Sequence, residues 1–409
     1  SLVSGFLVAD GSMIIAYNEG FEKYNIEDGN FRLGEKANKA QRKAIQELGV
    51  TVYDLFYAEE ALTNGSTLRI YQDRDSVDLV CLMKGEMPTA ADEIAIDRMY
   101  ADNNSLTIGD SLESGTRSWT ITGLVALPDY SCLFRDNNDS MFDAVKFGVA
   151  IVTPEMFADF GKDELYWNYA WKYNVTPEEG EPEQDAAEDL MQGILNEAEL
   201  ENFLPTYQNQ AIQFTGDDMG GDKAMMTILL YIIVLIMAFV FGITTSNTIS
   251  GEANVIGTLR ASGYTKNELI RHYMTMPAVV TLISALVGNI LGYTCLKEVC
   301  AGMYYGSYSL PTYVTVWNAE AFLETTVVPV LLMMVVNYFV LCRKLSLSPL
   351  KFLRRDLSRR KQKHAMPLSP HIPFFTRFRL RVIFQNAGNY LILFIGIIFA
   401  NMLLMFGLA

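Results

Sequence analysis

Four strongly apolar stretches of this chain run for 18 residues or more without an Asp, Glu, Lys or Arg: 224–250, 273–296, 325–342 and 387–409. A helix needs about 20 predominantly apolar residues to cross roughly 30 Å of hydrocarbon, whereas runs of about 10–14 fit buried helices of soluble proteins. Each of the four is therefore expected to span a membrane. The opening residues 1–9, SLVSGFLVA, are apolar but too short to do so. They have neither the basic leader nor the small-residue cleavage site of a secretory signal. Residues 1–20 are read as the end of a truncated transmembrane helix followed by a stalk, in a fragment of a longer protein.

The charge is distributed in a way that fits this reading. Of the 409 residues, 1–223 hold 16 Lys/Arg against 41 Asp/Glu, and 224–409 hold 16 against 6. An acidic front half is joined to an apolar back half with basic loops. Lys and Arg in short loops mark the cytoplasmic side. Segment 343–386 carries 12 basic residues and a single acid, Asp356, so it is expected to be a basic cytoplasmic linker. Counting back, 297–324 is an extracytoplasmic loop, 251–272 is cytoplasmic, and 21–222 forms a large extracytoplasmic domain. Basic residues between two spans are explained by topology and anionic headgroups, so no nucleic-acid partner is expected. The expected surroundings are a lipid bilayer, the plasma membrane.

Within 21–222, residues 35–48 read as a polar helix closed by Gly49. Strand-like pieces follow at 50–57, 67–71, 77–83, 93–96, 119–123, 147–152 and 166–175, bounded by Gly, Pro, Asn and Asp. Helical patterns sit at 154–160 and 185–200. The domain is α+β and long enough to bury its own core. Cys81 and Cys132 both fall in it, and a disulfide and two free thiols are equally open readings.

Several chemistries are missing. The chain has three His, at 272, 364 and 371, and none of them lies in 21–222. A Ser–His–Asp or Cys–His relay cannot be assembled there, nor can a His-based zinc site. The acidic clusters 73–78 and 136–139 lack the spacing of a calcium loop. The string GDDMGGDKA (216–224) has Asp222 where a phosphate-binding loop needs Lys. No catalytic residue, metal ligand or cofactor site is assigned, and energy has to come from a partner. The four runs also lack the ionisable groups that ion-coupled carriers place near the midplane. That favours helices acting as mechanical levers, or a protein that handles amphiphiles.

The segment 251–277, GEANVIGTLRASGYTKNELIRHYMTMP, joins two spans on the cytoplasmic side. Glu252 near a helix start and Arg271 near an end complement the helix dipole. Gly263 breaks the pattern into two short helices. Val255, Ile256 and Leu259 share one apolar face, and Leu269 and Ile270 repeat it. A short amphipathic elbow of this kind suits docking of another protein; an ordinary loop lying on headgroups fits the pattern equally.

Residues 256–263, Ile-Gly-Thr-Leu-Arg-Ala-Ser-Gly, are similar to the E-I-G-x-x-R-A-x-G signature of FtsX/MacB-like ABC transporter permeases. Gly288 and Gly292 in the following span match the family's Gly-containing helix, and small residues four apart let helices approach closely. Gly85-Glu86-Met87-Pro88 with 93–96 (EIAI), and Leu106 with Ile108-Gly109-Asp110, resemble the pattern of the family's extracytoplasmic core. Residues 348–354 (SPLKFLR) look like its stretch after the third span. The sequence departs from the family at Val255, where an acid is usual, and at Ser262. The segment FRLRVIFQN leading into 387–409 resembles the long members with two repeats.

The resemblance implies an α-helical membrane protein with a MacB-like periplasmic core domain. It implies a permease working by mechanotransmission, with ATP held by a separate ABC ATPase. That ATPase would engage Glu252, Ile256, Gly257, Leu259, Arg260, Ala261 and Gly263. A second permease half would come from the same chain or from another copy. The cargo would be an amphiphile such as a peptide, lipid or lipoprotein. The alternative is an FtsX-like regulator that controls an extracellular partner, such as a cell-wall hydrolase, without transport.

Overall fold

The computed structural model describes residues 2–355 and 373–385, together with positions 394, 397, 398 and 401. The chain divides into two compact units. One is Ser1–Ile228 with Val287–Thr325; the other is Leu229–Leu286 with Thr326–Ala409.

The first unit is organised by a mixed sheet. Its strands are β1 (Gly29–Leu33), β2 (Val50–Asp54), β3 (Tyr57–Ala61), β4 (Thr67–Gln72), β5 (Cys81–Gly85) and β6 (Glu93–Asp97). They continue with β7 (Ser111–Glu113), β8 (Ser118–Ala126), β9 (Phe147–Val152), β10 (Leu165–Tyr173) and β11 (Leu200–Pro205). The order is β11-β1-β10-β3-β4-β9-β6-β8-β5, with β2 on β10 and β7 on β8. β9 (FGVAIV) is buried at every position and runs parallel to β4. A strand covered on both faces reads as a continuous apolar run, as this one does. Ile70, Ile94, Ile96 and Ile121 on neighbouring strands and Val149 of β9 itself are each fully buried in the core.

Helices α1 (Leu2–Lys23), α2 (Lys39–Gln46), α3 (Arg98–Asn103), α4 (Pro154–Phe157) and α5 (Glu181–Glu197) complete this part of the chain. Residues 2–23 form one continuous helix, with Phe6, Leu7 and Val8 buried and Asp10 buried among them.

Local chemistry moved several boundaries from those expected. The helix expected over 35–48 begins only at Lys39. Asn38 accepts from the backbone N–H groups of Ala40 and Gln41 while the Gln41 side chain accepts from the Asn38 N–H, a reciprocal cap. It closes before Gly49, whose φ is +94°. The strand expected over 77–83 begins at Cys81. Asp78 has φ +50°, and residues 78–79 are tied to the 24–25 backbone instead. The helix expected over 185–200 runs Glu181–Glu197, and Leu200 opens β11. Strands β1, β7 and β11 had no expectation, and the piece expected over 50–57 ends as β2 at Asp54, with only its last residue, Tyr57, in the separate strand β3. Cys81 and Cys132 are free thiols. Burial pushes the Cys132 thiol up to about 12.

The remaining helices are α6 (Gln210–Gly251), α7 (Ala253–Ala261), α8 (Lys266–Leu291), α9 (Lys297–Ser307), α10 (Ala319–Phe322), α11 (Val328–Leu345), α12 (Pro349–Leu353) and α13 (Phe374–Gln385). Among the described residues three helical runs are long and apolar enough to cross a membrane: Gln210–Gly251, Lys266–Ser307 and Ala319–Leu345. They contain the expected spans 224–250, 273–296 and 325–342. The expected span 387–409 lies outside the described residues apart from four isolated positions, as do 356–372 and 386 of the basic linker.

Segment 297–324, expected as a loop, is ordered within the first unit. It contains α9, an extended stretch and α10. Arg98 at the start of α3 donates to the carbonyls of Tyr305 (2.8 Å) and Tyr308 (2.7 Å), and the Ser309 hydroxyl donates to buried Asp97. Charged donors meeting backbone acceptors in this way are among the stronger contacts in a fold, about 1.5–3 kcal/mol each.

Candidate coupling elbow

The second unit contains the turn between two of the membrane-length helices. α6 ends at Gly251, Glu252 sits at the junction, and α7 follows from Ala253. The end of α7 is a Schellman turn. Tyr264 N–H reaches the Leu259 carbonyl at 3.1 Å, and Gly263 N–H reaches that of Arg260 at 3.4 Å. Gly263 has φ +103°, a region closed to most side chains. The next helix is capped at once. Thr265 N–H and hydroxyl donate to Glu268 at 2.7 and 2.8 Å, and Glu268 N–H returns to Thr265 Oγ1 at 3.3 Å. The bend is thus fixed by a helix stop and a helix start set back to back within six residues.

The second arm of the elbow is not the separate short helix expected from Gly263. It is the first part of α8, which continues unbroken to Leu291. The apolar face expected from Val255, Ile256 and Leu259 also divides. Ile256 is fully buried, Leu259 half-buried and Val255 56% exposed. Ile256 packs with Ile249, Leu269, Ile270, Leu341 and Phe352.

The residues assigned to the elbow therefore take two directions. Gly257 is buried against α12: a Cβ there would lie 2.9 Å from Leu353 Cγ and 3.1 Å from its backbone nitrogen. Arg260 is half-buried and donates to the Leu345 carbonyl at 2.7 Å, placing a cation at the C-terminal end of α11. Glu252 is exposed and accepts a hydrogen bond from the Tyr273 hydroxyl. Ala261 and Gly263 are exposed. Of the pair expected to serve helix packing, Gly292 is buried in the first unit, where a Cβ would meet Ser4 Oγ at 2.7 Å. Gly288 is half-buried.

Sequence reasoning missed α12 as the other wall of the elbow. Ser348-Pro349 carried the signal, since Pro at the first position starts a helix readily. Phe352 is fully buried, whereas Leu350 is 55% and Leu353 46% exposed. Val255 and Tyr264 are exposed as well, so apolar side chains of α7, of its C-terminal turn and of α12 are all left uncovered.

Residues 227–349 match the family model described as FtsX-like permease C-terminal; the match takes in α7 and the start of α8 and ends at the first residue of α12. No curated protein matches the sequence. Among solved structures, the chain is similar to the extracellular domain of the noncanonic ABC-type transporter YknZ from Gram-positive bacteria. The identity is 12% over 42% of this chain and 100% of that one, with a TM-score of 0.23; at that score the likeness carries no further weight.

Proposed function

We propose that this chain is a permease half of an ABC transporter in which a separate ATPase docks on the elbow formed by α7, the start of α8 and α12. The observation that carries the reading is the FtsX-like segment 227–349 with a doubly capped bend at its first turn between membrane-length helices. Docking uses the exposed positions Val255, Thr258, Ala261 and Tyr264. Ile256, Gly257 and Arg260 act behind them, holding α7 on α12 and on the end of α11. Closure of the ATPase displaces the bend, and the helices pass the movement to the first unit, which is extracytoplasmic and resembles the MacB-like core type. ATP is bound by the partner and not by this chain. The plasma membrane is the site, a second permease half completes the assembly, and the cargo is an amphiphile extracted or exported on the outer side.

The test is ATP turnover of the ATPase co-expressed and purified with the full chain in a bilayer. Thr258→Glu, on the exposed face of α7, is expected to lower both co-purification and coupled turnover by about tenfold or more, as truncating an interface anchor does. Unchanged binding and turnover contradict docking here. Coupled turnover without cargo movement points to the regulatory alternative.

A further inference from the structure

The helical run Lys266–Ser307 keeps an exposed apolar edge past the residues that a bilayer crossing needs. Val287, Leu291, Cys295, Val299 and Met303 lie four residues apart, and each is exposed. The first three fall in the expected span 273–296. Val299 (60%) and Met303 (66%) lie beyond it on α9, whose other side carries the buried Cys300, Ala301 and Tyr304.

Residues 311–318, PTYVTVWN, join α9 to α10 outside any helix or strand, yet they are firmly held. The Tyr305 hydroxyl donates to the Pro311 carbonyl (2.8 Å) and accepts from the Tyr313 N–H (3.1 Å). Lys297 donates to the Thr315 hydroxyl at 2.9 Å, and the Val316 N–H donates to the Ser12 hydroxyl of α1 at 3.1 Å. The Trp317 ring stacks on Tyr293, with centroids 5.3 Å apart. These ties hold Val314 (78% exposed), Val316 (41%) and Trp317 (64%) in the open. Uncovered apolar side chains on a fixed frame mark a contact surface.

We infer that the outward side of α9 and the stretch 311–318 form a lipid seat, resting in the headgroup layer of the bilayer with Trp317 and the valines inserted toward the acyl chains. Position in the chain selects lipid over a protein partner. The stretch connects two runs of membrane length, Lys266–Ser307 and Ala319–Leu345, so both its ends start from the same bilayer surface. The exposed edge of α9 continues that of the span. Trp and Tyr concentrate at such surfaces, because their rings offer an apolar body and a polar tip. Charge does not drive the contact. Segment 297–324 holds one base, Lys297, and three acids, Glu298, Glu320 and Glu324. Lys297 pairs with Glu298 at 3.3 Å, and Glu320 pairs with Lys223 at 2.8 Å. Anionic headgroups attract polybasic segments, and this segment is not one, so the seat takes zwitterionic lipid as readily as anionic lipid.

Tryptophan fluorescence of the full chain reconstituted in bilayers tests the seat. Trp119 and Trp171 are buried in the first unit (1% and 0% exposed), and half-buried Trp167 packs edge-on to Phe56 at 5.0 Å. Trp317 is the most exposed of the four. Expected is weaker emission in phosphatidylcholine brominated on its acyl chains than in the plain lipid. Bromines near the headgroup end of the chains are expected to quench more than bromines near the chain ends, and added anionic lipid is expected to leave the quenching unchanged. Trp317→Phe, which keeps a ring against Tyr293, is expected to remove most of it. Equal emission in brominated and plain lipid overturns the proposal and leaves the surface to a protein partner. Quenching that survives intact in Trp317→Phe, that needs anionic lipid, or that is strongest with the deep bromines overturns it as well. The depth comparison uses the unaltered protein, so it decides the matter even where the substitution impairs folding. The quenching is read without an ATPase, so its outcome is separate from docking at the elbow.

Discussion

Gly257 shows how much one residue carries at the elbow. Its missing side chain lets α7 lie against the backbone of α12, where a Cβ would be 3.1 Å from the Leu353 nitrogen. A backbone atom cannot swing aside, so Gly257→Leu is expected to cost about 1–3 kcal/mol by overpacking. Gly302→Leu, at a position with open space around it, is expected to cost far less. Thermal unfolding of the two variants in detergent checks this; equal melting temperatures contradict the close contact. Gly257 stood out in the sequence only through its place in the Ile256–Gly263 string, because spacing does not reveal which neighbour a glycine admits. Arg260 was likewise visible as a cation near a helix end. That it turns inward to the Leu345 carbonyl depends on a helix 85 residues away in sequence.

At the scale of elements, the membrane-length helices were the most legible part, because a long run without charge fits little besides a span. Their association was less so. Asn337 on α11 is fully buried and accepts from the Thr245 hydroxyl of α6 at 2.6 Å. Interhelical hydrogen bonds of this kind contribute about 0.6–2 kcal/mol in a membrane. Asn337→Leu is expected to lower resistance to denaturation by that amount, and the double variant with Thr245→Val is expected to add little to it; additive losses contradict the pairing. A lone Asn within VVNYFV was readable in sequence, but its partner was not. The elbow itself was better encoded than it was read. Thr265 followed three residues later by Glu268 is a capping box, and Gly263 two residues before it is a helix terminator. Together they define a fixed corner with a long second arm. In the sheet, β9 was plain because it is apolar throughout. β1 alternates, with Phe31 and Leu33 buried between half-buried Asn30 and Arg32, but over only five residues; β11 escaped because Glu201 and Asn202 lie side by side at a register shift and break the alternation.

For the molecule as a whole, the sequence placed a large α+β unit ahead of apolar helices, and the structure has that arrangement, with segment 297–324 folded into the first unit. Long-range contacts from α3 to 305–309 recruit that segment, and no local pattern announces them. The buried cluster of Glu27, Asp78 and Asp129 escaped for a related reason: its members lie about 50 residues apart in sequence and meet only in the folded chain, where Asp78 accepts from the Glu27 N–H and Asp129 pairs with Arg74. Docking of an ATPase requires that the bend at Gly263 face the compartment that holds ATP. The direct measurement is labelling of Ala261→Cys with a membrane-impermeant maleimide, read against the native Cys81. The cysteine at 261 is expected to react only after the membrane is opened, while Cys81 reacts in intact cells. Labelling at 261 in intact cells would contradict it.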